Sequence, residues 1–153
     1  MHFKRFLDIK PEISNLFIIF INNKILYDLN DKTFLLNSSF LNFTNFEFKK
    51  IGIAQDNNIN IYAADLSNES FSLANQGYQS LVEYDLRYLM TILSEKDLGL
   101  VGRANQLIHY LNSNKHCGYC GSFMEFDSTE EAMYCKCNNL MIYPKISPCV
   151  LAL

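Results

Sequence analysis

The sequence predicts an α+β fold from three observations. A strand-like pattern broken by asparagine turns runs through residues 1–80, a helical period of 3.6 covers residues 84–111, and two close cysteine pairs follow among short glycine-marked segments. At 153 residues and 49% apolar composition, the chain is long enough for one domain with a real core followed by a small metal-stapled module.

The apolar run Leu16–Ile21, the pair Asn22-Asn23 and the segment Lys24-Ile25-Leu26-Tyr27 have the pattern of a hairpin. A second hairpin joins residues 50–55 to residues 59–64 across Asp56-Asn57-Asn58. Phe40, Phe43, Phe46 and Phe48 precede it and read as core. The period then changes. A short helix is expected over residues 84–93, with Leu86, Leu89, Met90 and Leu93 on one face. Ser94 and Asp97 resemble a capping box, and Leu98, Val101, Ala104, Leu107, Ile108 and Leu111 form the apolar stripe of a longer helix that ends at Asn112-Ser113-Asn114. The closing run from Pro148 through Cys149, Val150, Leu151 and Ala152 to Leu153 reads as a strand with no visible mate after it, which suggests that a longer fold is interrupted there.

Composition excludes several classes of function. The longest apolar run is far short of the roughly 20 residues that span a bilayer, and the opening residues lack a secretory leader pattern, so the expected location is the cytoplasm with no membrane partner. A net charge of −3 gives no electrostatic footprint for nucleic acid. Small polar ligands remain open.

Four of the five cysteines fall between positions 117 and 137. Cys117 and Cys120 flank Gly118-Tyr119, with Gly121 just after, the spacing that turns two thiolates onto one ion, and Gly121 can take the positive φ such a knuckle needs. Cys135 and Cys137 lie far enough on for a small hairpin to complete a tetrahedron. Three readings stand: structural zinc, reduced thiols without metal, and a redox disulfide. Ligand spacing in a reducing compartment favours zinc. Four thiolates leave no open position, so this zinc would be structural, with its binding energy, on the order of 10 kcal/mol or more, spent on folding. His116 is too close to Cys117 to serve as a ligand, and Cys149 reads as a small core residue. A ribbon of this kind often contacts nucleic acid. Here Glu125, Asp127, Glu130 and Glu131 outweigh Lys115, Lys136 and Lys145, which argues against phosphate-backbone binding by the module alone.

The segments Gly102-Arg103-Ala104-Asn105-Gln106-Leu107, Tyr110 and Lys115-His116-Cys117-Gly118-Tyr119-Cys120-Gly121 strongly resemble the linker helix and first zinc knuckle of bacterial NADH pyrophosphatases of the Nudix hydrolase family. Glu130-Glu131-Ala132-Met133-Tyr134-Cys135 and Tyr143-Pro144-Lys145-Ile146-Ser147-Pro148-Cys149 resemble that family's next two landmarks. The resemblance implies an N-terminal domain over residues 1–93, a linker helix over 94–114, a zinc ribbon over 115–145 and the truncated first strand of a Nudix domain over 146–153. It also implies hydrolysis of NADH to nicotinamide mononucleotide and AMP by the parent enzyme, NAD-cap removal from RNA in some members, and a homodimer. It assigns substrate contacts to Tyr143, Glu130 and Arg87, and zinc ligands to Cys117, Cys120, Cys135 and Cys137. On residue type alone, Tyr143 is a plug against the ribbon, Glu130 a solvated charge and Arg87 an exposed helix residue.

Two departures qualify the resemblance. The family places two residues between the second pair of cysteines; here only Lys136 stands between them, and Asn138 takes the fourth cysteine's place, which implies altered geometry or weaker zinc binding. The Gly-rich Nudix box, whose glutamates hold Mg²⁺ or Mn²⁺ for attack on the pyrophosphate, is absent from the 153 residues. The chain is thus expected to be an inactive fragment of a hydrolase or, from a different class, a stand-alone module that binds a nucleotide or a protein.

Overall fold

An unbroken apolar strand is stable only where both of its faces are covered. In the computed structural model, which describes residues 16–37, 50–56, 59–67, 80–127, 129–130 and 132–145, Leu16–Ile21 forms such a strand, β1. Phe17, Ile18, Ile19 and Phe20 are all buried although they alternate between faces. The other strands of this sheet are β2 (Lys24–Asp28), β3 (Leu36–Asn37), β4 (Lys50–Asp56), β5 (Ile59–Asp65) and β6 (Leu81–Tyr84). Their order is β4-β5-β1-β2-β6, with β3 also paired to β1.

Both expected hairpins form. Asn22 and Asn23 carry φ of 50° and 64°, and Ile21 pairs with Lys24, so the turn has two residues in the left-handed region, whose twist matches that of the flanking strands. Strands β4 and β5 pair antiparallel from Lys50↔Ala64 to Asp56↔Ile59, with an irregularity between Gly52 and Ala54. Asp56 is therefore the last strand residue, not part of the turn.

The parallel pairing of β1 with β5 was not legible in the sequence. It runs from Leu16↔Ile61 to Phe20↔Asp65, and the Phe17 and Tyr62 rings stack with centroids 5.5 Å apart. Phe17, Ile19, Ile21, Leu26, Leu36, Tyr62, Leu66 and Leu81 make up one contiguous core cluster.

Tyr84 closes β6, paired to Ile25, and does not open a helix. Helix α1 begins after Asp85 and covers Leu86–Ile92. Its expected apolar face is corrected in one respect: Leu89 is fully buried, but Met90 is 60% exposed, because a helix this short turns a single residue inward and its neighbour points 100° away.

Helix α2 covers Glu95–Ser113. Its start is the expected capping box: the Ser94 Oγ accepts the Asp97 backbone N–H at 3.2 Å and donates to Asp97 Oδ2 at 2.7 Å. Val101, Ala104, Leu107 and Ile108 of the stripe are buried, as are Leu100 and Tyr110.

The chain divides into two compact units, Met1–Ile108 and His109–Leu153, with the boundary inside α2. The second contains a three-stranded antiparallel sheet of β7 (Glu125–Asp127), β8 (Ala132–Cys135) and β9 (Leu140–Ile142), in that order. The α+β class read from the sequence is the one observed. The Phe40 to Phe48 aromatics, Cys149 and the strand expected over 146–153 lie outside the described residues. Among those described, no helix is long and apolar enough to cross a membrane.

Replacing the helix cap tests the α2 start. Ser94→Ala should lower unfolding free energy by about 1 kcal/mol in urea denaturation, while Ser94→Asp should retain most of it.

Candidate metal centre and its flanking site

A thiol cluster can form only where two separate chain reversals point their sulfurs at one spot. The first reversal is the segment after α2. His116 and Phe123 form an isolated antiparallel bridge, with their rings edge to face at 5.8 Å. Inside it the Cys117 N–H donates to the Ser122 carbonyl at 2.8 Å, and the Gly121 N–H to the Cys117 carbonyl at 2.8 Å. Gly121 has φ of 74°, the left-handed conformation the spacing calls for. The second reversal is the β8–β9 turn. Cys135 pairs with Leu140, so Lys136, Cys137, Asn138 and Asn139 make up the turn, with Asn139 at φ of 51°.

These two turns bring together the sulfurs of Cys117, Cys120 and Cys135, all within 4.8 Å of one another. The Cys120 and Cys135 Sγ atoms are 3.5 Å apart. Cys117 and Cys135 are buried and Cys120 is exposed; all three are free of disulfides. Cys137 lies outside this group: it is exposed, and its Sγ sits 3.2 Å from the Ser122 Oγ. The Asn138 side chain, exposed like Cys137, directs its amide at the cluster, with Nδ2 3.7 Å from Cys117 Sγ and 4.0 Å from Cys135 Sγ.

The electrostatics of the cluster are uneven. Hydrogen bonding from Ser122 holds the Cys120 thiol down at about 6, whereas burial, with Cys120 alongside, pushes Cys135 up to about 11. One sulfur ionises readily and its neighbour resists. A cation among them would favour the thiolate form of all three. The three cysteines can hold a metal ion, and soft sulfur donors suit zinc.

Tyr110, on the last turns of α2, ties this unit together. Its hydroxyl donates to the Ile142 carbonyl and accepts the Met133 N–H at 2.7 Å, so one side chain satisfies both members of a β8–β9 residue pair. Its ring joins Cys117, Met124, Met133 and Cys135 in the ribbon's core, with Leu111 and Ile142 against it. Burial raises its pKa from the usual value. The sequence placed Tyr110 in the resemblance but gave no signal of this bonding.

The predicted contact residues separate. Glu130 sits in the turn between β7 and β8, where Asp127 Oδ1 accepts the backbone N–H groups of Thr129 (2.8 Å) and Glu130 (3.1 Å). Tyr143 follows β9 directly. Its hydroxyl donates to Glu130 Oε2 at 3.2 Å, and that bond, ahead of burial and the Asp127 charge, raises its pKa. The Tyr143 ring is 48% exposed. Two of the three expected contacts are thus neighbours on one ribbon surface. Arg87 is exposed on α1, in the first unit. Asp127, which fixes the Glu130 turn, was not singled out, though an Asp-Ser-Thr sequence between two short strands is a turn signal.

No protein-family profile matches the chain. Among curated proteins it is 38% identical over 71 residues to the NAD-capped RNA hydrolase NudC of Escherichia coli O157:H7, covering 44% of this chain and 27% of that protein. It is 44% identical over 52 residues to NudC of E. coli O1:K1 / APEC and of Shigella boydii serotype 18, covering 34% of this chain and 20% of each relative. The chain therefore spans about a quarter or less of the length of the curated relatives it matches. The family resemblance read from the sequence is borne out: this chain has homologues among the NudC hydrolases.

Tyr110→Phe isolates the contribution of the hydroxyl. It leaves the Met133 N–H without a partner in a buried place, and should cost roughly 1–3 kcal/mol of ribbon stability by denaturant unfolding with little change in the first unit.

Proposed function

We propose that this chain is the zinc-ribbon-bearing part of an NAD(H) pyrophosphatase, which holds the dinucleotide without hydrolysing it. The observation that carries the proposal is the Tyr143 Oη to Glu130 Oε2 hydrogen bond. It joins two of the residues to which the resemblance assigns substrate contact, on a surface where the tyrosine ring is open to a ligand.

The chemistry of each residue suits a dinucleotide. The Tyr143 ring offers a flat face for stacking on nicotinamide or adenine. Glu130, steadied by the Asp127 turn, accepts hydrogen bonds from ribose hydroxyls or an exocyclic amine. Arg87 supplies a bidentate fork for phosphate or carboxylate oxygens. Zinc, held around Cys117, Cys120 and Cys135, keeps the ribbon turns in register and takes no part in bond breaking. The Mg²⁺ or Mn²⁺ that pyrophosphate cleavage requires needs a carboxylate cluster such as Glu-x-x-Glu-Glu on a helix, and no Glu-x-x-Glu-Glu occurs in these 153 residues. Turnover of NADH, or removal of an NAD cap from RNA, therefore belongs to a longer polypeptide or to a second one; the resemblance to NADH pyrophosphatases implies a homodimer, and the composition suits the cytoplasm.

Titration calorimetry of the zinc-loaded chain with NADH tests the grip. Tyr143→Ala should weaken binding by about tenfold or more, equivalent to at least ~1.4 kcal/mol and in the range for loss of an aromatic stack; equal affinity of variant and wild type would remove Tyr143 from the site. The same chain with NADH and Mn²⁺ should release no reduced nicotinamide mononucleotide, and clear turnover would contradict the assignment of chemistry to another segment.

A further inference from the structure

A tetrahedral zinc–sulfur centre has a defined size. With Zn–S bonds of about 2.3 Å, neighbouring sulfurs stand roughly 3.8 Å apart along each edge of the tetrahedron. The Cys120 to Cys135 separation of 3.5 Å already lies close to that edge, and Cys117 lies with them inside the 4.8 Å limit. Three corners are therefore in place.

The fourth corner is where the chain departs from a four-cysteine ribbon. The Asn138 Nδ2 donates toward Cys117 Sγ at 3.7 Å and toward Cys135 Sγ at 4.0 Å. The side chain that the β8–β9 turn brings beside these two sulfurs is thus an amide and not a thiol. Cys137, one position earlier in that turn, is exposed and faces Ser122 Oγ at 3.2 Å. Consecutive residues of a tight turn point in different directions, and here the Cys137 sulfur falls outside the 4.8 Å group, against the Ser122 hydroxyl that also contacts Cys120 Sγ at 3.4 Å.

We infer that this chain binds zinc through three thiolates only, Cys117, Cys120 and Cys135, with an exchangeable water at the fourth position beside the Asn138 amide, and that Cys137 is a free thiol. The inference rests on the zinc reading proposed above and goes beyond it by changing the ligand set. Amide N–H groups donate to thiolate sulfur and offset part of its charge, which supports the centre without closing it. A three-thiolate site with water in the last position gives up its metal more readily than a closed one and accepts an added ligand there. Cys137 remains open to alkylation or oxidation while the metal is bound.

The test uses the full chain loaded with zinc or cobalt, compared with Cys137→Ser and Asn138→Cys. Cys137→Ser should bind zinc within about threefold of wild type and leave the thiolate-to-cobalt charge-transfer band unchanged, whereas Asn138→Cys should tighten binding by roughly tenfold or more and raise that band by about a third, from three thiolates to four. In zinc-loaded wild type, iodoacetamide followed by peptide mapping should modify Cys137 and spare Cys117, Cys120 and Cys135. The ligand assignment is overturned if Cys137→Ser weakens zinc tenfold or more and dims the cobalt band, or if Cys137 is protected by metal. An Asn138→Cys variant with unchanged affinity and unchanged band would remove Asn138 from the fourth corner. A wild-type chain that takes up neither metal overturns the zinc reading itself, and is told apart from the other failures by the absence of any cobalt band.

Discussion

Three sulfur atoms within 4.8 Å of one another cannot all be charged in a partly buried place unless a cation lies among them, and the role proposed for the second unit rests on that constraint. Among the described residues its core cluster is Tyr110, Cys117, Met124, Met133 and Cys135, two of which are thiols of the cluster. Strands of three or four residues bury little apolar surface, and modules of this size need a staple to persist. The thiols and the Tyr110 hydroxyl supply complementary restraints. One set joins the knuckle after α2 to the end of β8; the other fixes β8 against β9. The surface Lys136–Glu125 ion pair at 2.7 Å is too exposed to substitute for either.

From this arrangement the flanking site follows. Glu130 hangs from the β7–β8 turn and Tyr143 from the end of β9, so their hydrogen bond lies at the end of the sheet where β8 begins, and Cys135 ends that same strand. A structural metal, in this account, affects ligand binding by holding the geometry of residues that never touch it, as outer partners do in metal sites generally.

The sequence revealed most where local chemistry decides the outcome. Asn22-Asn23, Ser94 with Asp97, and Gly121 each encode a backbone conformation or a cap that needs no distant partner, and each is found as read. The pattern was less informative where partners are remote. Nothing in Leu16–Ile21 says that it pairs in parallel with β5, although its unbroken apolar character fits a strand covered on both faces. The strand Leu81–Tyr84 is not legible in the sequence, and its last residue, Tyr84, falls in the helix expected over 84–93, because four residues carry too little period to separate from an adjoining stripe. At the site, spacing brought out the first cysteine pair and flagged the second as irregular; that Asn138 and not Cys137 faces the cluster depends on which turn residue points inward, which spacing alone does not encode. The Tyr110 hydroxyl bonds were hidden for a similar reason, since a tyrosine in an apolar stripe reads the same whether or not its hydroxyl finds a partner.

The central claim is that the metal-held ribbon positions Glu130 and Tyr143 for a dinucleotide. Nitrogen-15 NMR of the chain titrated with NADH, before and after zinc is removed by a chelator, tests it most directly. The account predicts that the amide resonances of Glu130 and Tyr143 shift with NADH in the zinc-loaded chain and no longer respond once the metal is gone. Identical shifts in the metal-free chain, or none at these residues with zinc bound and millimolar NADH present, would contradict it.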